Sequence, residues 1–175
     1  NAVHNSPPAK QYIQSRVLDH TKTEIGYNSG QFHHGERRDE ALIKSCLQFG
    51  LLSVNDRAGR TGDTAYKPFG KWCIVFALRN KQHHITGLYF RSTLNDKEQR
   101  HFYLKDREGL YPAHPKTGTK KLIITESIID AATLLLSAEI TQHYNVLALY
   151  GTNGLTGEHI SAIKELKELD EIIFF

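Results

Sequence analysis

Residues 122–136 read LIITESIIDAATLLL, apolar almost throughout yet carrying Glu126 and Asp130 in the middle. The opening LIIT, Leu122 to Thr125, is a short β-branched run of the kind that forms a strand buried on both faces. Beyond Glu126 the apolar residues Ile128, Ile129, Ala132, Leu135 and Leu136 fall at helical spacing, so the period changes from a strand's to a helix's. Glu126 therefore marks a strand-to-helix turn. In an open parallel sheet such turns line the crevice in which ligands bind, and Asp130 falls in the first helical turn, where the dipole favours a carboxylate. Two acids at one crevice repel unless a cation lies between them, which makes a divalent metal the natural third party. The same spacing also suits a simpler arrangement, with Asp130 capping the helix and Glu126 solvated at the strand end.

The 175 residues suffice for one medium domain or two small ones with real cores. A formal charge of +3 permits anionic partners, nucleic acid included, without demanding them. Cys46 and Cys73 stand far apart and form no C-x-x-C pair, so the chain reads as reduced and cytoplasmic, with no zinc ribbon and no disulfide framework. The longest apolar run holds the two acids, which excludes a membrane-spanning helix, and the N-terminus does not resemble a signal peptide. The chain opens NAV and contains no Met, and it ends on the apolar run LDEIIFF. It therefore reads as a fragment with a tag scar at its start and an end inside a core strand.

Working outward, PAKQYIQSRVLD carries apolar residues at helical intervals with Pro8 in the first turn, and RRDEALIKSCLQFG predicts a second helix stopped at Gly50. Between them EIGYNSGQ reads as a turn or short hairpin, and after them the Gly-rich NDRAGRTGD reads as a mobile loop. KWCIVFALRN and ITGLYFRS predict a hairpin joined by KQHH, and RHFYLKD supplies a third strand. The boundaries are thus a tag scar and flexible start at 1–7, an α+β unit over 8–113 and a Pro/Gly-containing linker at 114–119. From 120 to 175 the order is strand (122–126), helix (129–138), strand NVLALY, loop GTNGLTGE, helix (158–168) and strand EIIFF. Alternation of this kind makes a parallel α/β sheet.

The stretch ITESIIDAATLL, followed by NVLALYGTNGLTGEHI, resembles the Toprim domain of bacterial DnaG-type primases. AKQYIQSRVLD, IGYNSG, FGKWCIVFALRN, ITGLYFRS and FYLKDREGLYP follow in order the N-terminal subdomain of the same catalytic core, so the resemblance covers nearly the whole chain. It implies an α+β subdomain followed by a C-terminally truncated Toprim domain. It also implies an enzyme that makes RNA primers on single-stranded DNA from nucleoside triphosphates, using Mg²⁺ or Mn²⁺, with a replicative helicase as a further partner. By that resemblance Glu126 is the metal-site acid or general base, Asp130 helps to hold the site, and an Asp-x-Asp pair is expected beyond Phe175. Two departures suit a divergent primase of a mobile element or phage. Ser127 stands where the family usually has Gly, and Phe102 stands where it has the Lys of a Lys-Tyr pair completed here by Tyr103.

Other residues extend this reading. Arg79, Arg91, Lys105 and Arg107 lie on or beside the β-rich unit and could form a basic track for template and triphosphate, or stand as solvated surface charges. Tyr89, Phe90, Phe102 and Tyr103 interleave with them and could stack on bases, although alternation favours the core for Phe90 and Phe102. Gly151, Thr152 and Asn153 begin the loop after NVLALY, whose backbone amides could line the crevice or make a plain turn ending in a cap at Thr156. His33/His34 and His83/His84 lack partners at ligand spacing and read as surface turns. The alternatives to a primase core are a non-catalytic Toprim-fold module that binds DNA or recruits a partner, and a Toprim nuclease or topoisomerase, which the first half of the chain argues against.

Overall fold

The computed structural model describes residues 2–32, 38–56, 62–94 and 100–175. His33, His34 and the centre of the NDRAGRTGD loop lie outside them. Helix α1 (Pro7–Ser15) starts where Ser6 Oγ accepts the Ala9 N–H at 3.3 Å, with prolines filling the first turn, and it buries Ala9 and Ile13. Helix α2 (Glu40–Gln48) starts in the same way, with Asp39 accepting the Leu42 N–H at 2.9 Å, and is followed by Gly50 at a φ of 71°.

Strand β1 (Gly26–Asn28) is the outer strand of an antiparallel sheet that continues, after a short antiparallel pair β2 (Leu52–Val54) and β3 (Tyr66–Pro68), through β4 (Cys73–Arg79), β5 (Ile85–Ser92) and β6 (His101–Tyr103) in the order β1-β4-β5-β6. EIGYNSGQ is therefore not a hairpin: its centre pairs with residues 73–75, far along the chain. Both faces of this sheet are covered. On one, Phe76, Tyr89 and Tyr103 stand opposite one another across the strands; on the other, Phe90 and Phe102 meet edge-on with Phe69. Tyr89 is only 3% exposed, so it is a core residue and not a surface for bases.

The second half is a parallel sheet in the order β8-β7-β9, made by β7 (Lys121–Thr125), β8 (Asn145–Ala148) and β9 (Glu171–Phe174). Leu122 to Thr125 are all buried, as a doubly covered parallel strand requires. The helix expected over 129–138 is two: α3 (Ile128–Leu134) and α4 (Ala138–His143), with Ser137 accepting the Ile140 N–H to start the second. Helix α5 (Gly157–Lys164) links β8 to β9. The whole is an α+β unit followed by a parallel α/β unit.

One core runs through both halves. Ile13, Ile74, Phe76 and Tyr89 share a buried cluster with Ile128, Ala131, Val146 and Ala148, and a second cluster of Leu110, Leu122, Ile124, Leu147 and Ala162 covers the other face of the parallel sheet. Tyr111 forms an antiparallel bridge to Ala148, and in the 114–119 segment His114 pairs with Glu158 at 3.0 Å while Thr119 is buried. Burial of this apolar surface is what fixes the halves against each other. No helix among the described residues is long and apolar enough to cross a membrane.

Candidate active site and nucleic-acid interface

Strand β7 ends at Thr125, and Glu126 emerges exposed at its C-terminal end. The loop after β8 is stitched to that end: Leu149 N–H donates to the Thr125 carbonyl at 2.8 Å, Gly151 N–H to the Glu126 carbonyl at 2.9 Å, and Thr152 Oγ1–H to the Glu126 carboxylate at 2.7 Å. The turn needs its glycines. Gly151 has a φ of 99°, and a Cβ on Gly154 would come within 2.4 Å of the Tyr150 backbone. Asn153 is exposed in the same turn. Glu126, Thr152, Phe174 and Phe175 line one recess of about 260 Å³, so the end of β9 adjoins the acid.

Asp130 is held differently. Ser127 caps α3, accepting the Asp130 N–H at 3.2 Å while donating its own Oγ–H to the Asp130 carboxylate at 2.7 Å. The Ser127 backbone is extended, with a φ of −126°, so a side chain costs nothing here and supplies a cap that glycine cannot. Burial raises the Tyr89 hydroxyl to about 12, opposed by the Arg91 charge and hydrogen bond and raised further by Tyr12 and, least, by Asp130. The two acids thus have separate partners, Thr152 for Glu126 and Ser127 for Asp130. Both are hard oxygen donors and Glu126 is exposed, which fits an ion such as Mg²⁺ that keeps several waters and takes one or two carboxylates. Among the described residues no group of three or more His, Cys, Asp or Glu side chains is arranged to enclose a metal.

The basic residues divide among several places. Arg91 donates from Nε to the Tyr12 hydroxyl at 2.9 Å and, with Arg16, Arg100 and Thr93, lines a recess of about 380 Å³. Lys105, Arg107, Tyr103 and Tyr150 line another of about 510 Å³, where the Arg107 guanidinium lies 5.0 Å from the Tyr103 ring centre. Burial lowers the His101 imidazole in that recess, and the charges of Arg91 and Arg107 lower it further. Arg91, Lys105 and Glu126 line three separate recesses. Tyr150 links two of them, since it lines the Lys105 recess and precedes the loop that carries Thr152. Arg79 stands apart: it pairs with Glu24 at 2.7 Å and donates to the His83 carbonyl, at the opposite end of the β4–β5 hairpin from Arg91. Phe102, at the position expected to bear Lys, packs against Phe69.

Sequence reasoning missed Arg16, Arg100 and Tyr12, which nothing in a single chain marks as neighbours of Arg91. It also missed His159. That residue is 0% exposed; its ring contacts Tyr150, Nε2 lies 3.0 Å from the Ala148 carbonyl, and Nδ1 accepts from Thr156. The T-x-x-H spacing at 156–159 was the available signal, because a capping box places a polar partner at that position.

An antiparallel sheet fused through one core to a parallel α/β unit, with an acid at the end of the first parallel strand, is the fold of a DnaG-type primase catalytic core. The structure of a DnaG primase catalytic domain bound to ssDNA matches with 21% identity over 96% of this chain and 55% of that chain, at a TM-score of 0.67. The E. coli primase catalytic core matches with 20% identity over 97% of this chain and 56% of that one, at 0.69. The RNA polymerase domain of Mycobacterium tuberculosis primase DnaG, solved with double-stranded DNA, matches with 16% identity over 96% and 56%, at 0.65. The chain therefore spans about half the length of these solved structures. No family model matches the sequence, and no curated protein matches it either.

Proposed function

We propose that this chain is part of a DNA primase catalytic core, which extends RNA primers on single-stranded DNA from nucleoside triphosphates. The observation that carries the reading is Glu126, exposed at the C-terminal end of β7 within a primase fold and oriented by Thr152. Glu126 and Asp130 would contribute to holding Mg²⁺ or Mn²⁺, which when bound supplies charge stabilisation to the attacking and leaving oxygens of phosphoryl transfer. Lys105, Arg107 and Arg91 would contact template and triphosphate phosphates, with Tyr103 beside them. The solved cores that the chain resembles are about twice its length, so a chain of their full extent is the form expected to synthesise primers. The test is primer synthesis by that longer chain: Glu126→Gln removes an interaction worth several kcal/mol in the transition state, a loss of about a hundredfold or more in rate. Full activity in Glu126→Gln overturns the assignment.

A second reading, a DNA-binding module without catalysis, is favoured by Phe102, which puts an aromatic ring on Phe69 where primases are expected to present a cation. Lys105 lines the recess beside Tyr103 and is the candidate replacement. A longer chain that binds DNA and makes no primer, with Phe102→Lys restoring none, would favour this second reading.

A further inference from the structure

Trp72 is the only tryptophan of the chain and is 42% exposed. Its φ of 58° lies in the left-handed region, which bulky residues rarely adopt. Three hydrogen bonds hold it there: its N–H donates to the Asn28 carbonyl at 2.7 Å, and Thr93 donates to its carbonyl from the N–H at 2.9 Å and from Oγ1 at 2.7 Å. None of these bonds uses the indole. Glycine would make all three without strain, so the tryptophan contributes through its ring.

The ring is equipped in a definite way. Lys71 Nζ lies 4.0 Å from its centre. Space for the Lys71 stem depends on Gly30, where a Cβ would come within 2.0 Å of Lys71 Cγ. Gly30 is itself held by its N–H to Asn28 Oδ1 at 2.8 Å, and the Asn28 amide donates to the Phe69 carbonyl at 2.6 Å. The cation–aromatic pair is thus assembled in advance by β1 and the turn before β4. Thr93, which clamps Trp72, also lines the recess formed by Arg16, Arg91 and Arg100. An exposed aromatic ring carrying a cation, next to a recess lined by arginines, is the combination that receives single-stranded nucleic acid, the ring stacking a base and the cations neutralising phosphates.

We propose that Trp72 and Lys71 form a base-stacking platform for single-stranded DNA, continuous through Thr93 with the Arg16, Arg91 and Arg100 recess. The proposal rests on the DNA-binding reading above and adds a place and a residue to it. Because every base has a π-face, the platform selects single strands over duplex and not one sequence over another.

The single tryptophan makes the test direct. A thymidine oligomer is titrated into the protein at low salt while Trp72 emission and, separately, the anisotropy of a labelled oligomer are followed; a hairpin duplex serves as control. The expected result is binding accompanied by quenching of Trp72, with affinity reduced roughly fivefold or more in Trp72→Gly and largely kept in Trp72→Phe. Trp72→Gly suits the backbone at this φ, and circular dichroism checks that it folds. Oligomer binding without quenching, with Trp72→Gly binding as well as the parent, overturns the platform and leaves the DNA-binding reading standing. Absence of any oligomer binding overturns both.

Discussion

His159 shows how one buried side chain can govern a crevice loop. Nε2 faces the Ala148 carbonyl and must donate, so Nδ1 is left to accept from Thr156, and the ring ties the end of β8 to the start of α5 across the Gly151–Asn153 turn. Protonation removes the acceptor and places a charge in an apolar site; burial accordingly holds the imidazole below its ordinary value of 6.5. The sign follows from linkage. A folded value below the unfolded one means that the unfolded chain binds more protons as pH falls through 6.5, so this contribution to stability is complete above that pH and is lost below it. Urea midpoints measured between pH 8 and pH 5 should fall more steeply for the parent than for His159→Gln. His159→Ala should cost about 2–4 kcal/mol at pH 8, because it opens a cavity and strands two backbone groups. Equal pH profiles for parent and variant would remove His159 from this role.

At the scale of elements, the turn between β8 and α5 should tolerate no side chain at Gly154 and should accept one at Gly157. A Cβ on Gly154 meets backbone at 2.4 Å, and backbone cannot rotate out of the way, so Gly154→Ala should destabilise by about 1–3 kcal/mol and detach Thr152 from Glu126. Nothing lies within 4 Å of a Cβ on Gly157, in the first turn of α5, and Gly157→Ala should be neutral or stabilise by up to about 1 kcal/mol. Thermal melts of the two variants test the pair, and equal melting temperatures would refute the packing argument. The legibility of the chain follows the same division between local and distant causes. Caps and periods are local, which is why α1, α2, the β4–β5 hairpin and the passage from β7 to α3 could be read directly. Strand β1 could not, because its partner lies at residues 73–75, and β2 and β3 are too short for alternation to show. The break between α3 and α4 is signalled only by Ser137. Within the site, Glu126 and the loop after β8 were legible because strand ends in parallel sheets converge; the neighbours of Arg91 were not, because they come from α1 and beyond β5.

For the molecule as a whole, the placement of charge decides how DNA should bind. Arg79 is neutralised by Glu24 at one end of the β4–β5 hairpin, whereas Arg91, Lys105 and Arg107 line recesses around its other end and the adjoining β6. Contacts from such residues reach phosphates and sugars, so affinity for single-stranded DNA should depend little on sequence and should fall as salt rises. Each phosphate neutralised on a single strand adds about 0.7 to the slope of log K against log salt. Lys105→Ala and Arg91→Ala should therefore each flatten that slope by about 0.7, and the double variant by about twice as much, while Arg79→Ala should leave it unchanged. Fluorescence anisotropy of a labelled thymidine oligomer over a series of salt concentrations measures all four proteins alongside the parent. A slope that responds to Arg79→Ala and not to Lys105→Ala or Arg91→Ala would move the DNA path to the opposite end of the hairpin. Tight binding indifferent to salt would mean that phosphates are not what this surface recognises.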